Sequence, residues 1–129
     1  MPSDGRRARG DHGEALAERH LAAAGYRILE RKFRTRHGEL DLVVADARAL
    51  VFCEVKTRLA GSPGGPPGPL DAIGPGKRRR LRLMAAQWLA ARAEADERPM
   101  RSQLRFDAIG VTVDRSGALV GLEHVEDAF

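Results

Sequence analysis

Two apolar runs, at residues 40–45 and 50–55, are separated by a short polar break of hairpin length, which predicts a pair of antiparallel strands at the centre of the chain. Residues 26–34 carry Tyr26, Ile28 and Leu29 among basic residues and read as a strand before that hairpin. Residues 103–114 alternate well enough for a strand after it, and 118–129 for an edge strand or tail element. Apolar positions at helical spacing flank this set. Leu16, Leu21 and Ala24 predict a helix over 11–24 stopped by Gly25. Leu81, Met84, Ala85, Trp88 and Leu89 predict a second over 75–97, with Trp88 as core material packed on the sheet.

Residues 59–76 are too rich in glycine and proline for a helix or inner strand and read as a mobile loop, either closing over a substrate or serving as a surface insertion. Residues 1–10 have almost nothing apolar to bury and predict a disordered arm made basic by Arg6, Arg7 and Arg9. The remainder, 11–129, is expected to form one domain. A third strand joined to a fourth through a long helix should run parallel to it in a right-handed crossover, so the class is α/β with a mixed sheet flanked by helices.

The charges inside the central hairpin are the anomaly. Asp41 interrupts the first run, Glu54 and Lys56 the second, and residues two apart on a strand share a face. With an even number of loop residues Asp41 lies opposite Glu54, Glu39 opposite Lys56 and Val43 opposite Phe52; an odd loop throws Asp41 to the other side. In the even register the two carboxylates lie roughly 5 Å apart and repel by about 3 kcal/mol at an effective dielectric near 20. A cation has to offset that. Lys56 is one candidate; Mg2+ or Mn2+ is the other, since such ions are held by one or two carboxylates with waters and a phosphate completing the shell. Two acids and a lysine in this pattern suit metal-assisted phosphodiester hydrolysis, the lysine orienting the attacking water or neutralising developing charge.

The second helix adds a basic start: Lys77, Arg78, Arg79, Arg80 and Arg82 crowd its first turns, while Glu94, Asp96 and Glu97 sit in its last. That order is the reverse of what the helix dipole favours. Convergence of helix-start amides and arginines on phosphates supplies a purpose for it. The formal charge of +4 and a pI near 10 agree with an anionic partner, nucleic acid first. No stretch approaches a membrane span or a signal-peptide core, so a cytoplasmic protein is expected. Cys53, the single cysteine, excludes an internal disulfide and reads as a small buried hydrophobe. Asp11 and Glu14, three apart, fit a capping arrangement. His12 and His20 read as polar helix positions, His37 as a turn residue, and Arg105 and Asp107 as a pair on one face.

Asp41 followed by Glu54-Val55-Lys56 resembles the PD-(D/E)XK nuclease motif, with Leu40 where that motif has proline. More closely, GELDLV with FCEVKTR resembles the YraN-like family of small bacterial proteins, which are similar to archaeal Holliday junction resolvases. The resemblance covers nearly the whole chain and implies a restriction-endonuclease-like αβββαβ core. It also implies a Mg2+- or Mn2+-dependent endonuclease or exonuclease acting on DNA, branched or repair intermediates among its substrates. Under it, Gly13-Glu14 matches the first-helix glutamate that joins Asp41 and Glu54 at the metal, and Lys77 matches a family lysine. Family members usually carry asparagine where Lys32 stands, and junction-cutting relatives work as homodimers. The alternative, from another class, is a noncatalytic nucleic-acid-binding protein that keeps the fold and uses its basic surface to position a partner.

Overall fold

The computed structural model describes residues 2–61, 74–94 and 103–129. The elements run α1 (Pro2–Ala23), β1 (Arg27–Thr35), β2 (Gly38–Ala45), β3 (Ala49–Leu59), α2 (Pro75–Glu94), β4 (Gln103–Val113) and β5 (Leu119–Val125). The expected αβββαβ order is present with a fifth strand appended. One mixed sheet has the order β1-β2-β3-β4-β5, antiparallel throughout except for the β3–β4 pair, whose parallel register runs from Ala49↔Gln103 to Leu59↔Val113.

Strand alternation divides the interior into two clusters, one on each face. Leu42, Val44, Val51, Cys53, Ile109 and Val111 meet Ala17 and Leu21 of α1; Val43, Ala45, Leu50 and Phe52 meet Leu81, Met84, Ala85 and Trp88 of α2. The stripe read for α2 is thus the one that packs, and the indole of Trp88 donates to Glu30 Oε1 at 3.2 Å from an otherwise buried position. Cys53 is buried, as expected, and burial raises its thiol pKa well beyond the ordinary range.

Helix α1 departs from expectation at both ends. Ala24 is exposed, because the helix has already closed: Gly25 at φ +97° lets Tyr26 N donate to Leu21 O and Gly25 N to Ala22 O, a Schellman ending. At the other end residues 2–10, expected as a disordered arm, continue the helix back to Pro2. A tertiary contact invisible to composition accompanies this extension, since His12 Nε2 donates to Gly117 O at 2.6 Å. Asp11 and Glu14 therefore lie inside the helix rather than capping it.

Four residues, 46–49, separate the paired Ala45 and Leu50, an even connection. Asp46 closes it by accepting from Arg48 N and Ala49 N, and the register Val43↔Phe52 and Leu42↔Cys53 follows. Residues 62–73 of the expected loop, the side chain of Arg6, that of Glu94, and Asp96, Glu97 and Pro99 lie outside the described residues. No helix among the described residues is long and apolar enough to cross a membrane.

Candidate functional site

Beyond Leu42↔Cys53 the ladder between β2 and β3 opens, and the acids gather at that fork. Leu42 packs toward α1 while Leu40, two residues away, packs toward α2, so β2 turns over between them. Strand β1 turns with it. Arg31 pairs with Glu18 of α1, Phe33 packs toward α2, and Lys32 between them has φ +52°. That left-handed conformation is one asparagine tolerates better than lysine, which gives a physical reason for the asparagine implied there. The twist brings Asp41 to the fork, where its Oδ2 accepts from Val55 N at 2.7 Å in place of a strand carbonyl.

Asp41 meets Glu14 and Glu39 there: one carboxylate oxygen from each lies within 4.8 Å of the others. Burial first, then the charge of Glu54, with smaller pushes from Glu14 and Glu39, raises the Asp41 carboxyl to about 8 against the opposing Val55 hydrogen bond. Lys32 reaches across from β1 to Glu14 Oε2 at 2.8 Å and Asp11 Oδ1 at 2.7 Å, which raises its own pKa. The other Glu14 oxygen, Oε1, is buried with no hydrogen-bond partner among the described residues. An orphaned carboxylate oxygen beside two further carboxylates is a donor set that fits a hard divalent cation.

Glu54, 8 % exposed, is close enough to repel Asp41 but engages a different cation. Its Oε1 lies 2.6 Å from Lys77 Nζ and 3.9 Å from Lys56 Nζ. Glu39 takes Arg34, at 3.2 Å, as its ion-pair partner rather than standing against Lys56. The hydrogen-bonding contact with Lys77, then burial, then the Lys77 charge lower the Lys56 pKa, and the nearby acids only partly oppose them. For Lys77 burial is the largest influence and acts downward, but the hydrogen bonds to Glu54 and Lys56 and the charges of Glu54 and Asp41 together outweigh it, and the net shift is upward. This pair also answers the reversed charge order of α2: the acid its N-terminus favours is supplied by β3.

The five basic residues of α2 separate by role. Lys77 and Arg80 line a cavity of about 240 Å³ together with His37, Glu39, Glu54 and Met84. Arg78 and Arg79 are exposed. Arg82, also exposed, donates to Phe129 O at 3.1 Å and lies over the Phe106 ring, so it ties down the C-terminal residues.

Glu14 reaches this cluster because of the residue before it. A Cβ on Gly13 would lie 1.8 Å from Thr57 Oγ1 and 2.8 Å from Thr57 Cβ, so α1 rests directly on β3 at that point. Gly13→Ala is expected to cost about 1–3 kcal/mol by forcing the elements apart, despite alanine's better helix propensity. Urea unfolding measures it, and Gly13→Ala should cost less in a Thr57→Gly background, which removes the Cβ as well, than in wild type, whereas Thr57→Ala keeps the 2.8 Å contact; an equal cost in both backgrounds would show that the close approach is not what matters.

Glu39 and Lys77 are the members of the cluster whose positions the sequence did not disclose. Glu39 follows the period-two rule from Asp41 and was open to recognition; the Lys77–Glu54 contact joins segments across the crossover and has no local signature. A second charged assembly lies on the α1 face of β4. The fully buried Asp107 accepts from Arg105 at 2.9 Å, from Asp127 N at 3.0 Å and from His124 Nε2 at 2.8 Å, leaving His124 Nδ1 to accept from His20 Nε2 at 3.1 Å. The expected Arg105–Asp107 pair is present, within a larger network than its spacing implied.

Residues 13–111 match the family described as Uncharacterised protein family UPF0102. Among similar proteins, a UPF0102 protein of Streptomyces griseus is 48% identical over 119 residues, covering 92% of this chain and 93% of its own. One of Frankia casuarinae is 46% identical and one of Rhodococcus jostii 42%, each over 122 residues, 95% of this chain and 96% of theirs. The matched span takes in Gly13-Glu14, the whole hairpin with Asp41, Glu54 and Lys56, the basic start of α2 and most of β4. By that match and by these relatives, the chain belongs to protein family UPF0102.

Proposed function

We propose that this protein is a divalent-metal-dependent nuclease of the PD-(D/E)XK type that hydrolyses DNA phosphodiester bonds. The observation that carries the reading is the meeting of Glu14, Glu39 and Asp41 at the fork of β2 and β3, with one Glu14 oxygen buried and unpartnered. Asp41, Glu14 and Glu39 would hold Mg2+ or Mn2+, and Glu54 stands at the margin of the same cluster. When bound, such an ion polarises a phosphoryl oxygen and lowers the pKa of a coordinated water. Lys56, on the same face as Glu54, is placed to orient that water or to neutralise charge on the phosphate. Arg78 and Arg79 are free to grip the backbone of the nucleic acid, and Arg80 extends that surface into the cavity.

The test is cleavage of branched and linear DNA with Mn2+ against the same reactions in chelator. Metal-dependent cleavage lost in Asp41→Asn, with binding retained, supports the enzyme. Binding without cleavage on any of these substrates supports the alternative, a noncatalytic nucleic-acid-binding protein. One observation favours that second reading: Lys32, Arg34 and Lys77 already neutralise Glu14, Glu39 and Glu54 without a metal.

Salt dependence separates the arginines under either reading. Arg78→Ala and Arg79→Ala are each expected to reduce the slope of log affinity against log salt by about 1, whereas Arg82→Ala leaves the slope unchanged and lowers the melting temperature. Fluorescence anisotropy across a salt series measures this. An unchanged slope in Arg78→Ala and Arg79→Ala would mean that the helix start is not the phosphate surface.

A further inference from the structure

Four acids converge at the fork, but they are not equally placed. Glu14, Glu39 and Asp41 bring ligand oxygens within 4.8 Å of one another, while Glu54 spends its Oε1 on Lys77 at 2.6 Å. Glu54 is nearly buried, so it cannot part from a cation without gaining another. Lys56 alone is a weak substitute at 3.9 Å.

The basic residues around the cluster differ in how firmly they are held. Lys32 is bound twice, by Glu14 and by Asp11, from a fixed backbone conformation on β1. Among the described residues Lys77 has one carboxylate partner, and it stands on the wall of a cavity it shares with Arg80 and His37. Lys56 and Lys77 also crowd the same oxygen, so their mutual repulsion favours the departure of one of them. A long, flexible ammonium beside Arg80 has an anionic destination in a backbone phosphate entering that cavity.

We propose that Lys77 is a placeholder cation: it occupies Glu54 in the metal-free protein and moves to a substrate phosphate when Glu54 turns to a divalent ion. The inference rests on the reading of the acid cluster as a metal site, and it adds a reason for metal and nucleic acid to bind together. With Lys77 on Glu54, the fourth carboxylate is withheld from the cluster and one phosphate contact is withheld from the nucleic acid. Either ligand releases what the other needs, so each raises the affinity of the other by one common factor. Lys77 acts through Glu54 and the substrate's backbone, as a positioning residue.

The experiment is a Mn2+ titration of the full chain, followed by electron paramagnetic resonance of the free ion, with and without a phosphorothioate oligonucleotide that resists cleavage. Wild type is compared with Lys77→Met and Lys77→Gln, and thermal melting confirms that each is folded. Without oligonucleotide, Lys77→Met is expected to bind Mn2+ about tenfold tighter than wild type, and Lys77→Gln to lie between them. Both variants bind the oligonucleotide more weakly, and its effect on Mn2+ affinity, present in wild type, falls to near nothing. Folded variants that bind Mn2+ no tighter than a wild type that does bind it overturn the placeholder and leave the metal site standing. No Mn2+ binding by any of the three overturns both.

Discussion

Replacing Asp41 with asparagine is expected to abolish metal-dependent cleavage, by about a thousandfold or more, while making the metal-free protein more stable. The two effects have one origin. Asp41 sits among Glu14, Glu39 and Glu54, and burial with their charges raises its carboxyl to about 8. In the unfolded chain the same group titrates near 4. Between these values the folded state holds a proton that the unfolded state has released, so stability falls as pH rises from about 4 to about 8. Asparagine cannot ionise and escapes that loss.

Discounted for the solvent that reaches this open end of the sheet, the gain at pH 8 is about 2 kcal/mol, or roughly 8 °C in melting temperature, and it should vanish near pH 4. Mn2+ reverses the ranking, because an ion that binds the ionised cluster stabilises wild type and not the variant. Melting curves at pH 4, 6 and 8, with and without Mn2+, check all three statements. A variant that melts like wild type at every pH would mean that Asp41 is not crowded by its neighbours.

The largest loss of stability is expected outside the carboxylate cluster, on the neighbouring strand β4, where Asp107 pairs in register with Cys53. Asp107→Ala leaves the Arg105 guanidinium, whose side chain is 10 % exposed, without its bidentate partner, and leaves His124 and the Asp127 amide without their acceptor. Breaking a buried charge pair in this way costs about 3–5 kcal/mol, enough to move the melting temperature by roughly 10–20 °C. Burial alone would raise the Asp107 carboxyl, but hydrogen bonds from His124, Arg105 and the Asp127 amide together lower it. Its contribution is therefore present above the ordinary aspartate range and lost as pH falls through the depressed value. Asp107→Asn, which keeps part of the hydrogen bonding, should lose less than alanine. Equal losses in urea unfolding would show that charge, not hydrogen-bond geometry, holds the network together.

The central hairpin was legible because its charges contradict its apolar pattern. A charge in the middle of a buried run is costly unless it has a partner, and that cost is what set Asp41 and Glu54 apart; Val43↔Phe52 then followed from counting loop residues. The second helix was legible from a single stripe that could face only one way. What the pattern could not disclose were contacts between distant segments. His20 meets His124 across more than a hundred residues, and each read alone is an ordinary polar position. Lys77 looked like part of an arginine-rich surface because its partner lies on another strand. Residues 2–10 looked disordered because composition reports what a segment can bury itself, not how a helix held at His12 continues back into it.

Helix α1 draws its supports from the far end of the chain: Ile109, Val111 and Val113 under its apolar stripe, Gly117 against His12, and His124 against His20. While a ribosome is still making β4 and β5, the opening segment has only part of its eventual seat. Glu14, carried on that helix, needs none of the missing part: Thr57 beneath Gly13, and Lys32, Glu39 and Asp41 around its carboxylate, all precede β4, so the carboxylate cluster has its partners before the helix has all of its supports.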